Sequence, residues 1–169
     1  MGWPCLLPSV VSTSPMRKLY VPIRERHHRL PRHRYLGRIV VAFHICVFGR
    51  RPVFIDEAVV SPLRDMLAEA TRLFACGVLA YCFMPDHAHV VINGTEEHAD
   101  ALAAMVEWKN RSGLWLGANA GVRWQKDFYD TILTAPGAAE ERVEYVLLNP
   151  VNEGMVEDWW DYPFSGREL

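Results

Sequence analysis

The sequence predicts an α+β fold: a ferredoxin-like split βαβ unit with a central antiparallel sheet, helices on one face, and a further C-terminal helix. Three observations lead there. Runs rich in β-branched and aromatic residues alternate with segments of helical periodicity in the order β-α-β-β-α-β, followed by a helix. Only Pro85 and Asp86 separate the second and third strand-like runs, which suits an antiparallel hairpin. The 169 residues, half of them hydrophobic, suffice for one core and hardly for two.

Residues 1–15 carry Pro4, Pro8 and Pro15 without periodicity and are expected to be disordered, or to precede the true start if Met16 is the initiator. Residues 16–36, opening MRKLYVPIRERHHRLPRHRY, read as an extended basic arm. The remainder, 37–169, is the expected folded domain. GRIVVAFHICVFG, residues 37–49, is apolar on both faces apart from His44, as in a central strand. In EAVVSPLRDMLAEATRLFACG the apolar residues Val60, Leu63, Met66, Leu67, Ala70 and Leu73 repeat at helical spacing. Pro62 places its regular part from about Ser61, and Gly77 its close. VLAYCFMP and HAHVVI are the hairpin strands. Residues 98–117 form a second helix, interrupted or capped at Gly113, and 124–135 a fourth strand or extended segment. The third helix runs from about Ala138 to Leu148, stopped by Asn149 and Pro150. Beyond it, Trp159, Trp160, Tyr162 and Phe164 are expected to fold back over the body, being costly to leave in water.

No apolar run approaches the roughly 18–20 residues needed to span a bilayer, and the N-terminus lacks a positive region ahead of its short apolar patch. A soluble, cytoplasmic protein with no membrane partner is therefore expected. Cys5, Cys46, Cys76 and Cys82 form no CxxC pair, which argues against a structural zinc site and a disulfide framework; Cys46 and Cys82 read as buried free thiols. The net charge of −2 hides an asymmetry: residues 1–51 hold ten of the eighteen Lys and Arg with one acid, a net +9, and the rest carries −11. A basic arm on an acidic body points to a phosphate-bearing partner, or to no more than a solvated tail.

MPDHAHVVING, residues 84–94, holds the densest chemistry. Residues i and i+2 of a strand share a face at roughly 6.5–7 Å, so His87 and His89 can converge on one ion while Ala88 points away. Two imidazoles seldom retain a hard cation without a third ligand, and strand histidines also serve as hydrogen-bonded residues. Tyr145 and Asn149, four apart, share a helix face; they suit a metal beside an oxygen nucleophile, or equally a packing residue and a cap.

In order, RKLYVPIRERHHRLPRHRY, YCFMPDHAHVVING, WKNRSG, WQKDFYDTIL, YVLLNPVNEGMV and DYPFSG closely resemble the REP-associated tyrosine transposases. These are domesticated relatives of the single-strand transposases of bacterial insertion sequences, in the HUH (His, hydrophobe, His) endonuclease superfamily. The resemblance runs over about residues 16–166. It implies that 37–169 is a catalytic domain whose C-terminal helix carries the nucleophile Tyr145, with His87, His89 and Asn149 as ligands of Mg²⁺ or Mn²⁺. The implied chemistry is cleavage and rejoining of single-stranded DNA at REP-like hairpins through a 5′-phosphotyrosine, by a monomer or homodimer. Arg24, Arg26, Arg29, Arg32 and Arg34 of the arm, and Lys109 and Arg111 of WKNRSG, are the expected DNA contacts. Tyr129 is the competing phenol, without an amide partner at helical spacing, and Asp86 could orient the His87 ring or serve the turn. Many relatives carry a His and an Arg where Thr131 and Thr134 stand here, a departure that favours a second expectation, a hairpin-binding protein without turnover.

Overall fold

The computed structural model describes residues 30–169. Their elements are β1 (Val40–Cys46), α1 (Glu57–Leu73), β2 (Cys76–Met84), β3 (His87–Gly94), α2 (Ala101–Asn119), β4 (Tyr129–Leu133), α3 (Ala138–Asn152) and β5 (Ser165–Arg167). The strands pair antiparallel in the order β4-β1-β3-β2-β5. The first four reproduce the split βαβ arrangement, with β1 and β3 at the centre.

Side-chain alternation divides the sheet between two cores. Val41, Phe43 and Ile45 of β1, Tyr81 and Phe83 of β2, and Ala88, Val90 and Ile92 of β3 pack with Leu63 and Leu67 of α1 and Leu102, Met105 and Trp108 of α2. On the other face Ala42, Ala80, Cys82, Met84 and Val91 meet Val143, Val146 and Leu147 of α3, together with Tyr162. His44, His87 and His89 share the parity of this second group, so the sheet aims all three at the α3 side. No helix among the described residues is long and apolar enough to cross a membrane.

Several boundaries differ from the sequence reading, each for a local reason. α1 starts at Glu57, ahead of Ser61, because Asp56 caps it by accepting a hydrogen bond from the Ala58 amide at 2.9 Å. Pro62 sits inside the helix; the amide it lacks would have bonded the Ala58 carbonyl, so a single bond is lost. The helix ends at Leu73 and the chain reverses through Ala75 at φ +53°, while Gly77 belongs to β2. α2 runs unbroken through Gly113, where a Cβ would lie 3.3 Å from Trp124 Cδ1. That glycine makes room for an indole whose Nε1 donates to Ser112 Oγ at 2.9 Å.

α3 passes through both Asn149 and Pro150 to Asn152. Pro150 leaves the Val146 carbonyl without its i+4 amide, and Asn149 Nδ2 supplies a replacement at 3.4 Å while donating to the Tyr145 carbonyl at 2.8 Å. The tail does fold back. The Tyr162 hydroxyl donates to the Phe83 carbonyl at 2.8 Å, and β5 adds a fifth strand beside β2. Trp160, expected to be covered, is 64 % exposed.

Candidate metal and nucleophile site

Cross-strand register assembles the site. His44 of β1 lies directly opposite His89 of β3, and Cys46 opposite His87. The rings of His44 and His89 stack at 4.5 Å between centroids with 15° between planes, and His87 meets both edge-on at 5.1 and 5.0 Å. One nitrogen from each of the three lies within 4.8 Å of the other two, a spacing at which they could hold a metal ion.

His44 is the ligand candidate that the motif reading lacks. Its signal was present: it is the sole polar side chain in a strand otherwise apolar on both faces, in the position where a buried polar group needs a partner.

The electrostatics suit neutral imidazoles. Burial lowers the His89 pKa from 6.5 to about 3, assisted by the charges of His44, His87, Arg142 and Arg50. His44 is lowered too, again by burial first, then by His87 and Arg50, against an opposing pull from Asp86. Neutral nitrogens keep the lone pair that coordination requires.

The third ring is fixed from behind. His87 Nδ1 meets Asp86 Oδ1 at 2.6 Å, and the other oxygen of that carboxylate takes the Arg50 guanidinium at 2.8 Å. With its Nδ1–H donated to Asp86, His87 presents Nε2 to the site. Asp86 thus serves the turn and orients the ring together.

Tyr145 stands on α3 with its ring perpendicular to that of His89 at 6.1 Å. It is 47 % exposed, and its hydroxyl makes no hydrogen bond to the described residues. A cavity of about 210 Å³ opens between them, lined also by His44, Tyr129, Thr131 and Arg142. Asn149 lies one turn beyond Tyr145 and is buried; its amide nitrogen is committed to the helix, and its Oδ1 accepts no hydrogen bond from the described residues.

Of the expected DNA contacts, Lys109 and Arg111 are not brought to this face. Both belong to α2, across the sheet from the histidines. Arg111 is paired with Glu69 and Glu107 at 3.2 and 3.6 Å, and Lys109 Nζ donates to the Lys126 carbonyl at 3.1 Å. Arg32 binds Asp100, the N-cap of α2, at 2.8 Å, whereas Arg34 is exposed in the turn Arg32–Tyr35. Arg24, Arg26 and Arg29 lie outside the described residues.

A family model described as "Transposase IS200 like" matches residues 38–140. The chain belongs to this family. The matched span includes all three histidines and stops short of Tyr145 and Asn149. Among solved structures, the chain is similar to a REP-associated tyrosine transposase bound to a REP hairpin, with a TM-score of 0.64 and 20 % identity over 84 % of this chain and 82 % of that one. It is also similar to a candidate transposase from Deinococcus radiodurans, with a TM-score of 0.49 and 15 % identity over 79 % of this chain and 98 % of that one. Comparison with curated proteins gives no match.

The histidine pKa values set a pH dependence for this IS200-like transposase in its metal-free state. His89 stays neutral in the folded chain down to about 3, while an unfolded histidine takes a proton near 6.5. Between those values the unfolded state binds more protons, so stability falls as pH falls through the window. Thermal melts of metal-free protein at pH 7.5, 6 and 5 should give a steadily decreasing Tm. Substituting His89→Gln should flatten that dependence; an equal slope in the variant would place its source elsewhere.

Proposed function

We propose that this IS200-like transposase is a metal-dependent single-stranded DNA endonuclease and strand transferase, acting at REP-like hairpins through a 5′-phosphotyrosine intermediate on Tyr145. The observation that carries the reading is the cavity in which the Tyr145 ring stands over His89 beside a three-imidazole cluster. The hairpin is argued from the solved relative of the same fold, which was bound to one.

His87, His89 and His44 would hold the cation, Mg²⁺ or Mn²⁺, with Asn149 Oδ1 as a further ligand. An imidazole-rich set favours Mn²⁺ of the two. When bound, the cation supplies positive charge against the negative charge gathering on the scissile phosphate.

The rest is the work of the chain. The Tyr145 hydroxyl, bonded to none of the described residues, is free to approach phosphorus. Its Oη forms the new P–O bond, the bond to the 3′ oxygen breaks, and that oxygen leaves as a 3′-hydroxyl once protonated. The phenol, ordinarily protonated at neutral pH, releases its proton to water during attack. Because the phosphodiester bond is exchanged for another ester, the 3′-hydroxyl can later attack the phosphotyrosine and rejoin the strand without ATP. Tyr145 and the histidines meet within one chain, which supports a monomer as the active unit. Arg24, Arg26, Arg29 and Arg34 of the arm remain the proposed phosphate contacts; Arg32 holds Asp100 at the same time.

Asp86 acts through His87. Asp86→Ala removes the acceptor that fixes the ring, and Mn²⁺ affinity measured by calorimetry should fall roughly 10- to 100-fold.

The test is incubation with a single-stranded hairpin oligonucleotide and Mn²⁺, followed by denaturing electrophoresis. A protein–DNA adduct with a free 3′-hydroxyl on the other fragment is the expected result. Release of a free 5′-phosphate without an adduct would replace strand transfer by hydrolysis. Salt-dependent binding without cleavage would support the second reading, a hairpin-binding protein, which the neutral Thr131 in the cavity wall favours.

A further inference from the structure

We propose that the cavity between β4 and α3 is a nucleotide subsite, in which Tyr129 stacks on a base of single-stranded DNA and Arg142 binds the adjoining phosphate. The inference rests on the strand-transfer reading and adds to it the groups that hold the strand against the nucleophile.

Tyr129 and Arg142 line the cavity and have no part in the metal cluster and none in the core. Tyr129 opens the edge strand β4, directly opposite His44 in register, and is 74 % exposed although it is a large aromatic. Its ring stands 6.2 Å from that of His44 with 30° between planes, so one ring face is turned along the cluster and most of the side chain is open to solvent. No other residue of β4 is both aromatic and aimed into the cavity. Every nucleobase has a π face, so an open phenol ring beside a reactive phosphate site is a stacking platform of general use for single strands.

Arg142 approaches from the opposite wall. It precedes Tyr145 by three residues on α3, and its guanidinium carbon lies 5.2 Å from the centroid of the Tyr145 ring. Among the described residues it is the only charged side chain that lines the cavity, and no carboxylate lines it. It makes no ion pair with a described carboxylate, in contrast to Arg32, Arg38, Arg50, Arg64 and Arg111. A guanidinium without a carboxylate partner at the mouth of a cavity is matched by a phosphodiester, whose two free oxygens it can take in a bidentate pair.

Both side chains line the one cavity. A base on Tyr129 and a phosphate on Arg142 would place the next ester linkage beside Tyr145 and over His89. A base stacked on Tyr129 must first leave the stack of any duplex. The subsite thus selects an unpaired segment flanking a hairpin stem rather than the stem itself.

The test uses a hairpin oligonucleotide with a short single-stranded flank, and a series in which each flanking position in turn is made abasic. Affinity is read in the Tyr145→Phe background with Mn²⁺ present, so cleavage does not intervene. Tyr129→Ala should weaken binding by roughly 5- to 100-fold, the range of one lost base stack. That loss should vanish on the oligonucleotide lacking the base at one particular position, and Tyr129→Phe, which keeps the ring, should restore most of it. Arg142→Ala should reduce the slope of log affinity against log salt by about one, the contribution of a single phosphate contact. Mn²⁺ affinity and Tm, read for each variant, separate these effects from damage to the cluster or the fold.

An equal loss on every abasic oligonucleotide would overturn the stacking role. So would Tyr129→Phe behaving as badly as Tyr129→Ala, which would make the hydroxyl the active part. An unchanged salt slope would overturn the phosphate contact. Adduct formation by the wild-type chain is measured in parallel: its absence overturns strand transfer, whereas the subsite stands or falls on the abasic coupling and the salt slope alone.

Discussion

Tyr145→Phe should abolish the protein–DNA adduct and lower hairpin cleavage by a factor of roughly 10³ or more, to the level of the metal-free control. The substitution removes one oxygen. The ring that stands edge-on to His89 at 6.1 Å is kept, as is its contact with Arg142. The hydroxyl makes no hydrogen bond to the described residues, so its removal orphans no buried group, and the change in stability should be within about 0.5 kcal/mol. Mn²⁺ affinity and hairpin affinity should therefore survive while chemistry is lost, a separation expected of a nucleophile and not of a packing residue. Proteolysis of the wild-type adduct should recover the DNA on the peptide containing Tyr145. Persistence of the adduct in Tyr145→Phe would move the nucleophile to Tyr129, the other phenol of the same cavity.

The sequence carried the topology because the signals that define it are local and repeated. β-branched runs, helical periodicity and the two-residue link at Pro85 and Asp86 leave few arrangements open, and the central sheet follows them. What it concealed were the places where a distant group relieves a local penalty. Pro150 should stop a helix, yet α3 continues because the side chain of Asn149 replaces a missing amide. Gly113 should weaken α2, yet it clears space for Trp124, a residue placed by its distant bridge to Val47 just after β1. β5 has no strand-forming composition, and Gly166 is there because a Cβ would come within 2.7 Å of the Tyr81 hydroxyl. The site divided in the same way. His87 and His89 declare themselves by their spacing, since period two is a property of one strand. His44 lies 43 residues before His87 and joins it only through the β1–β3 register, a long-range pairing that no motif records.

That pairing carries the second large effect. His44→Ala should reduce Mn²⁺ affinity roughly 10- to 100-fold or more and, at limiting metal, reduce adduct formation in proportion. Two histidines and an amide oxygen would form the ligand set that the family resemblance implies, and in that set His44 is a bystander. The geometry argues otherwise. His44 stacks on His89 at 4.5 Å in a face of the sheet where burial keeps both rings from charging, an arrangement with little reason to exist among bare imidazoles. Its Nε2 lies 3.5 Å from Cys46 Sγ. Asn149 has a second occupation in the helix, and its replacement by alanine would disturb α3 whether or not its oxygen is a ligand. The decisive comparison is therefore between His44→Ala and Asn149→Ala, with Mn²⁺ binding followed by electron paramagnetic resonance and Tm recorded without metal. A ligand role for His44 requires that its variant lose the bound-ion signal while the metal-free Tm changes little. If His44→Ala binds Mn²⁺ as tightly as the parent chain and Asn149→Ala does not, the ion is held by His87, His89 and Asn149, and the stacked His44 is a wall of the nucleotide cavity beside Tyr129.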